Sequence, residues 1–310
     1  NYFKLIQNNI NNIINLKEAQ KKHIGFSLKD LMIKNNSIFV SYTEEIKENC
    51  WNTSVMYGEM NYTYIKFEKL FSSNECIFAE KGSWQSGGRI VSFDDNYILL
   101  SVGDYGDSFL AQEKNNINGK VIKINVQNSE YQILSMGHRN PQGLYYDKEN
   151  NFIFETEHGP IGGDEINLLK IKDIKKNQPF NFGWAIVSEG EHYCSKGDLE
   201  NLSEECAEKY KKYPLYKSHI KYGFLEPLKN FTPSIGISEI TKIGKRKYIV
   251  SSLKEGSLFY FELNSEDNIK FMNKIKVNER IRDLKVKDDN LYLFLDTTSS
   301  IGVISLDNFN

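Results

Sequence analysis

Two runs in this chain concentrate side chains and backbone suited to holding an anionic ligand. The first is Gly137-His138-Arg139-Asn140-Pro141-Gln142-Gly143-Leu144. The second is Glu157-His158-Gly159-Pro160, followed at once by Gly163-Asp164-Glu165-Ile166-Asn167. Guanidinium and ammonium groups bind carboxylates through charge-assisted hydrogen bonds, and arginine adds a planar fork of donors. Arg139 supplies such a group in the first run. A lone Lys or Arg is usually a solvated surface charge, so Arg139 taken singly carries little weight. Histidine is the side chain suited to general-base work near neutrality. The chain has five, His23, His138, His158, His192 and His219. His138 and His158 sit inside the two runs, while the other three have no supporting context.

Stepping outward, short apolar or alternating segments are separated by Asp/Asn/Gly turns, which is an all-β pattern. Ser37 to Tyr42, Tyr97 to Val102, Lys120 to Ile124 and Leu291 to Leu295 read as strands. Turn signals at 94–96, 147–151 and 288–290 precede second strands. The units recur at irregular spacing, as sheet modules do, and there are too many for one β-sandwich. Helix is expected only over Asn11 to Lys22 and over Leu199 to Lys212, the latter within a short surface insertion near 196–213. No Pro-rich or Gly/Ser-rich linker interrupts the 310 residues, so one domain over 1–310 is expected.

The 39 basic and 41 acidic residues leave a net charge of -2, which supplies no general attraction to nucleic acid or to an anionic membrane surface. No run approaches the roughly 20 apolar residues of a membrane-crossing helix. The chain begins at Asn1, read here as a mature or trimmed form. Cys50, Cys76, Cys194 and Cys206 lack C-x-x-C spacing, and two disulfides are expected. Neighbours in sequence favour Cys50–Cys76 and Cys194–Cys206, with the other two pairings left open. Disulfides imply a periplasmic or secreted protein.

The two runs, together with Gly87-Gly88-Arg89-Ile90, Ser101-Val102-Gly103-Asp104, Asn181-Phe182-Gly183-Trp184, Pro233-Ser234-Ile235, Ser252-Leu253-Lys254 and Arg280-Ile281-Arg282-Asp283, resemble the glucose/sorbosone dehydrogenase family. The resemblance runs in order from about residue 28 to the C-terminus. It implies an all-β, six-bladed β-propeller whose first blade lacks a strand unless residues 1–27 supply it. It also implies a quinoprotein carrying pyrroloquinoline quinone (PQQ) and calcium, which oxidises an aldose or related alcohol by hydride transfer to the quinone and passes electrons to an external acceptor. By the same resemblance, Arg139, Asn140, Lys254, Arg280 and Arg282 bind the cofactor, and the main-chain carbonyls of Gly159 and Pro160 ligate calcium. Asp164 and Glu165 serve a second calcium, or simply form a polar turn. Trp84, Trp184, Tyr222 and Phe224 are candidates for a sugar cleft, with Trp84 singled out by its position.

The chain departs from that family at one place. The family's base histidine lies four residues before the arginine of the G-R-[LI] strand, and here that residue is Gln85. A carboxamide does not titrate near neutrality and cannot act as a general base. His158 is a weak substitute. The alternative expectation is therefore a non-catalytic propeller that binds a quinone, a glycan or a protein partner, with a purely structural or receptor-like propeller as a third.

Overall fold

The computed structural model describes residues 6–14, 28–78, 84–174 and 178–309. The chain divides into two compact units, residues 1–140 and 141–310. In the first unit, strands Leu28–Lys34, Ser37–Lys47, Cys50–Glu59 and Phe67–Phe71 form one antiparallel sheet in chain order. Gly87–Ser92, Tyr97–Val102, Lys120–Asn125 and Tyr131–Met136 run up and down in a second. The second unit holds Pro141–Asp147, Phe152–Glu157, Asp164–Lys170 and Lys229–Phe231 in one sheet. Ile237–Gly244, Lys247–Ser252, Ser257–Leu263 and Ile269–Lys276 form another. Ile281–Lys287, Asn290–Leu295 and Ser300–Ser305 complete a three-stranded one.

Antiparallel four-stranded sheets whose strand order follows the chain are propeller blades, and the chain is of the all-β propeller class. The expectation of six blades is corrected: five sheets of three or more strands are formed by the described residues. Residues 178–228, long enough for another sheet, make instead an irregular excursion with short elements and one helix, Glu204–Lys212. Ser203 caps that helix by accepting from the Cys206 amide, with Glu204 and Glu205 in its first turn and Lys209, Lys211 and Lys212 in its last, a charge order that suits the helix dipole. The helix is the expected insertion, held by the Cys194–Cys206 disulfide, and the Cys50–Cys76 bond is also formed. Of the helix expected at 11–22, the described part is one turn at Ile10–Ile13, and residues 15–27 lie outside the described residues. No helix among the described residues is long and apolar enough to cross a membrane.

The Asp/Asn turns work as their chemistry requires. Asn35 and Asn36, at φ 46° and 61°, join two strands as a two-residue hairpin, and Asp288 and Asp289, at 48° and 58°, do the same. Asx side chains tolerate this left-handed backbone better than other non-glycine residues. Between the sheets of the first unit lies a core that includes Phe39, Val55, Ile98, Leu100, Ile117 and Ile122. Phe154, Ile237, Tyr248, Val250 and Phe261 centre one core of the second unit, with Leu258, Ile281 and Leu291 in another. These packed sheets leave the connecting segments at strand ends to carry chemistry.

Candidate active site

In the first unit three connecting segments are stitched together by backbone. Gly103 N–H donates to Ser86 C=O at 3.0 Å, Tyr105 N–H to Gln85 C=O at 3.1 Å, and Asp104 N–H to Arg139 C=O at 2.9 Å. The approach is so close that a Cβ on Gly103 would lie 1.8 Å from the Gln85 carbonyl oxygen, so only glycine fits. Gln85 itself has φ 63°, and beside it Trp84 is 78% exposed.

The backbone arrangement brings three polar side chains together, Asp104, Gln85 and Arg139. Asp104 is fully buried, and its Oδ1 also accepts the Gly106 N–H at 2.8 Å. Arg139 is buried as well. A carboxylate only accepts and a guanidinium only donates, which fixes the orientation of the amide between them. Gln85 Nε2 donates to Asp104 Oδ1 at 2.8 Å, and Gln85 Oε1 accepts from Arg139 Nη2 at 3.1 Å. The Gln85 side chain is thus a neutral bridge between a buried anion and a buried cation. Asn140, next to Arg139, is half-buried, and His138 is buried with Nε2 2.7 Å from Ser135 Oγ, which ties down the loop bearing Arg139.

In the second unit Asp164 is the organiser. One of its oxygens accepts Gly159 N–H at 3.2 Å, and the other accepts Gly236 N–H at 2.7 Å and Ile237 N–H at 3.0 Å. Leu253 and Lys254 N–H groups in turn donate to Gly236 and Ile235 carbonyls. One buried carboxylate therefore couples the Gly159-Pro160 turn to the 235–237 segment, on which the backbone of Lys254 rests, and the Lys254 side chain is exposed. Arg280 Nε and Arg282 Nη2 both donate to Asp296 Oδ2, at 3.2 and 3.3 Å. Arg280 and then Arg282 hold the Asp296 carboxyl below the usual carboxylate range. The shared carboxylate aims the two exposed guanidinium groups without burying them.

Glu165 takes no part in that arrangement. Adjacent residues of a strand face opposite ways, so its carboxylate departs from that of Asp164. It lies in a buried group with Glu155 and Glu157, where Asn167 Nδ2 donates to all three, at 3.4, 2.9 and 3.0 Å respectively. His219 Nε2 is 3.5 Å from Glu165 Oε1, and its Nδ1 is 3.5 Å from Glu226 Oε2. Burial pushes the Glu165 carboxyl up. Burial opposes the charge of His219, yet the Glu165 and Glu226 carboxylates hold its pKa above the ordinary histidine value.

The remaining candidates fall elsewhere. His158 is half-buried beside Gly159, His192 Nε2 is 2.7 Å from the Tyr213 carbonyl, and His23 lies outside the described residues. Trp184 is buried, whereas Tyr222 stacks on Tyr216 with ring centroids 4.2 Å apart. Phe224 packs against Gly183, where a Cβ would come within 2.8 Å of its ring. Sequence reasoning named Asp104 only as part of a motif and gave no role to Glu155, Glu157 or Lys120. Asp104 had a signal in its place after Gly103, but its contact with Gln85 spans distant segments.

Residues 24–303 match the family model described as Glucose / Sorbosone dehydrogenase. An uncharacterized protein of Synechocystis, slr1608, is 26% identical over 246 residues, covering 69% of this chain and 54% of that protein. The chain therefore spans about half the length of that relative. The aldose sugar dehydrogenase YliI of Escherichia coli is 24% identical over 290 residues, 86% of this chain and 71% of that one. Quinoprotein glucose dehydrogenase B of Acinetobacter calcoaceticus is 24% identical over 372 residues, 93% of this chain and 76% of that one. Among solved structures, the soluble aldose sugar dehydrogenase of E. coli in its apo-form superposes with a TM-score of 0.73 at 23% identity, covering 91% of this chain and 84% of that one. The PQQ-bound aldose sugar dehydrogenase of Streptomyces coelicolor gives 0.58 at 18%, covering 89% and 74%.

Proposed function

Since the chain belongs to the glucose/sorbosone dehydrogenase family, we propose that it binds PQQ with calcium and oxidises an aldose or related alcohol slowly, without a side-chain base. The relatives described as aldose sugar and quinoprotein glucose dehydrogenases, and the PQQ-bound Streptomyces neighbour, support the cofactor and the substrate class. Each unit by itself offers donors of the kind a polyanion takes. In the first unit Arg139 and Asn140 offer donors beside Gln85, and in the second Lys254, Arg280 and Arg282 are exposed cations, two of them aimed by Asp296. Pro160 and Gly159 carbonyls, in the turn that Asp164 holds, are hard oxygen ligands of the kind calcium takes. When bound, the quinone would accept hydride from the sugar carbon while calcium polarised its carbonyl.

What this chain's own residues do follows from the Gln85 bridge, the observation that carries the reading. Gln85 accepts from Arg139 and donates to Asp104, and so helps hold the Arg139 guanidinium in the orientation in which it would meet the cofactor. The same amide takes no proton from the sugar hydroxyl, and that proton must leave to solvent. Turnover then rises with hydroxide concentration. The two disulfides support a periplasmic or secreted protein that meets its sugar and an external electron acceptor outside the cytoplasm.

The test is a PQQ absorbance titration of the purified protein with and without calcium, followed by dye-linked oxidation of a sugar panel. Saturable binding with slow oxidation supports the proposal, and absence of binding sinks it. Saturable binding with no oxidation at any pH favours the second reading, a quinone-binding propeller without catalysis, which the amide at position 85 specifically recommends.

A further inference from the structure

Lys120 is fully buried at the start of the strand Lys120–Asn125. Its Nζ donates to the carbonyls of Asn118 at 2.6 Å, Leu110 at 2.8 Å and Ala111 at 3.2 Å. An ammonium has three N–H donors and no acceptor, so the three carbonyls satisfy it completely. A neutral amine has two and would leave one carbonyl unmet. Burial pushes the ammonium down to about 7, against Glu113 and Glu75, and the carbonyl cage favours the charged form.

The peptide units in this cage also hold the candidate site. Ala111 C=O accepts Gly137 N–H at 3.0 Å as well as the ammonium. Gly119, between Asn118 and Lys120, donates to Gly103 C=O at 3.1 Å and accepts His138 N–H at 3.2 Å. Gly103 precedes Asp104 and His138 precedes Arg139, the two ends of the Gln85 bridge. A Cβ on Gly119 would lie 2.6 Å from the His138 carbonyl and 2.7 Å from Ala111 Cβ, so the segment has no slack in which to reset.

We propose that Lys120 is a positioning residue for Arg139 and Asp104, a built-in cation that gathers the 110–119 segment and thereby fixes the backbone carrying both. The role of Lys120 is the same whichever ligand Arg139 binds. The PQQ arm of the test rests on the proposed function, and the other arms do not.

Lys120→Met shortens the side chain by one heavy atom, keeps it unbranched and removes the charge. In the ligand-free variant, amide hydrogen exchange at Gly119, Gly137 and His138 is expected to accelerate at least tenfold relative to strands of the second unit. Its PQQ dissociation constant is expected to rise tenfold or more. In Lys120→Ala, n-propylammonium should restore PQQ affinity and slow exchange where tetramethylammonium does not, a response that a general packing defect would not give. A folded Lys120→Met variant with unchanged exchange at those amides overturns the proposal. Should the variants fail to fold, lysine-15N NMR of the wild-type protein at pH 6 decides: slowly exchanging ammonium protons on Lys120 support the cage, and a neutral amine overturns it. If wild-type protein binds no PQQ while the exchange result holds, the functional reading fails and the role of Lys120 stands.

Discussion

Replacing Gln85 by His tests whether the site lacks only a base. The backbone admits the change, because histidine is among the residues that tolerate the left-handed conformation found at φ 63°. One imidazole N–H would keep the bond to Asp104, which Gln85 Nε2 makes at 2.8 Å, and that carboxylate raises the basicity of the ring. The second nitrogen then faces the choice that Gln85 Oε1 resolves, 3.1 Å from Arg139 Nη2. If it accepts from Arg139 its lone pair is occupied, and if Arg139 turns to a bound ligand the lone pair is free to take a proton. A positioned base is worth about 10²–10⁴-fold. At roughly 1.36 kcal/mol per decade this is about 2.7–5.5 kcal/mol of barrier. Loss of the charge-assisted bond to buried Arg139 costs about 1.5–3 kcal/mol of stability if nothing replaces it. The assay is dye-linked aldose oxidation with PQQ and calcium from pH 5 to 9, alongside urea unfolding. Wild-type turnover should climb with pH throughout, since solvent takes the proton. Gln85→His should be faster by two to four decades near neutrality and level off above the imidazole pKa. A folded, PQQ-saturated variant within threefold of wild type at every pH would refute the reasoning.

Three further outcomes follow from the same geometry. Gly103→Ala puts a Cβ within 1.8 Å of the Gln85 carbonyl oxygen, so urea unfolding should show about 1–3 kcal/mol of lost stability, and PQQ affinity should fall with it. Asp164→Asn leaves a single acceptor oxygen for three backbone N–H groups at 2.7–3.2 Å. A loss of about 1–3 kcal/mol for each orphaned donor is expected, with weaker calcium binding by calorimetry. Burial alone would raise the pKa of Asp147, but hydrogen bonds from Tyr248, Asn150 and Lys242 outweigh it and hold the carboxyl below its ordinary value. A depressed carboxylate stabilises the fold above its unfolded pKa and loses that contribution as pH falls through the folded one. Wild-type stability should therefore drop below about pH 4, and Asp147→Asn should be less stable at pH 6 with a shallower acid limb, Asp267 and Asp296 being among the other carboxyls held below their ordinary values. An acid limb identical to that of wild type would contradict the assignment.

The sequence by itself determined the class of fold and the place of the departure. Alternation of apolar residues and Asx turns is local, so strands at 37–42, 97–102, 120–124 and 291–295 are legible in the sequence, and each lies within an observed strand, the first of which runs on to Lys47. The disulfides joined the cysteines nearest in sequence, as loop closure favours. Gln85 was visible because it stands at a fixed distance from Arg89 along one segment. The number of sheets was not legible, since nothing local says that residues 178–228 stay irregular. Nor was Lys120, whose strand is buried on both faces, so that alternation gives no warning of a lysine inside. Asp164 and Glu165 are adjacent in sequence yet serve separate networks, because a strand sends neighbours to opposite sides. The tertiary structure alone decided what Gln85 does, since its two partners are 19 and 54 residues away along the chain (104 − 85 and 139 − 85) and only folding sets a carboxylate and a guanidinium on either side of its amide.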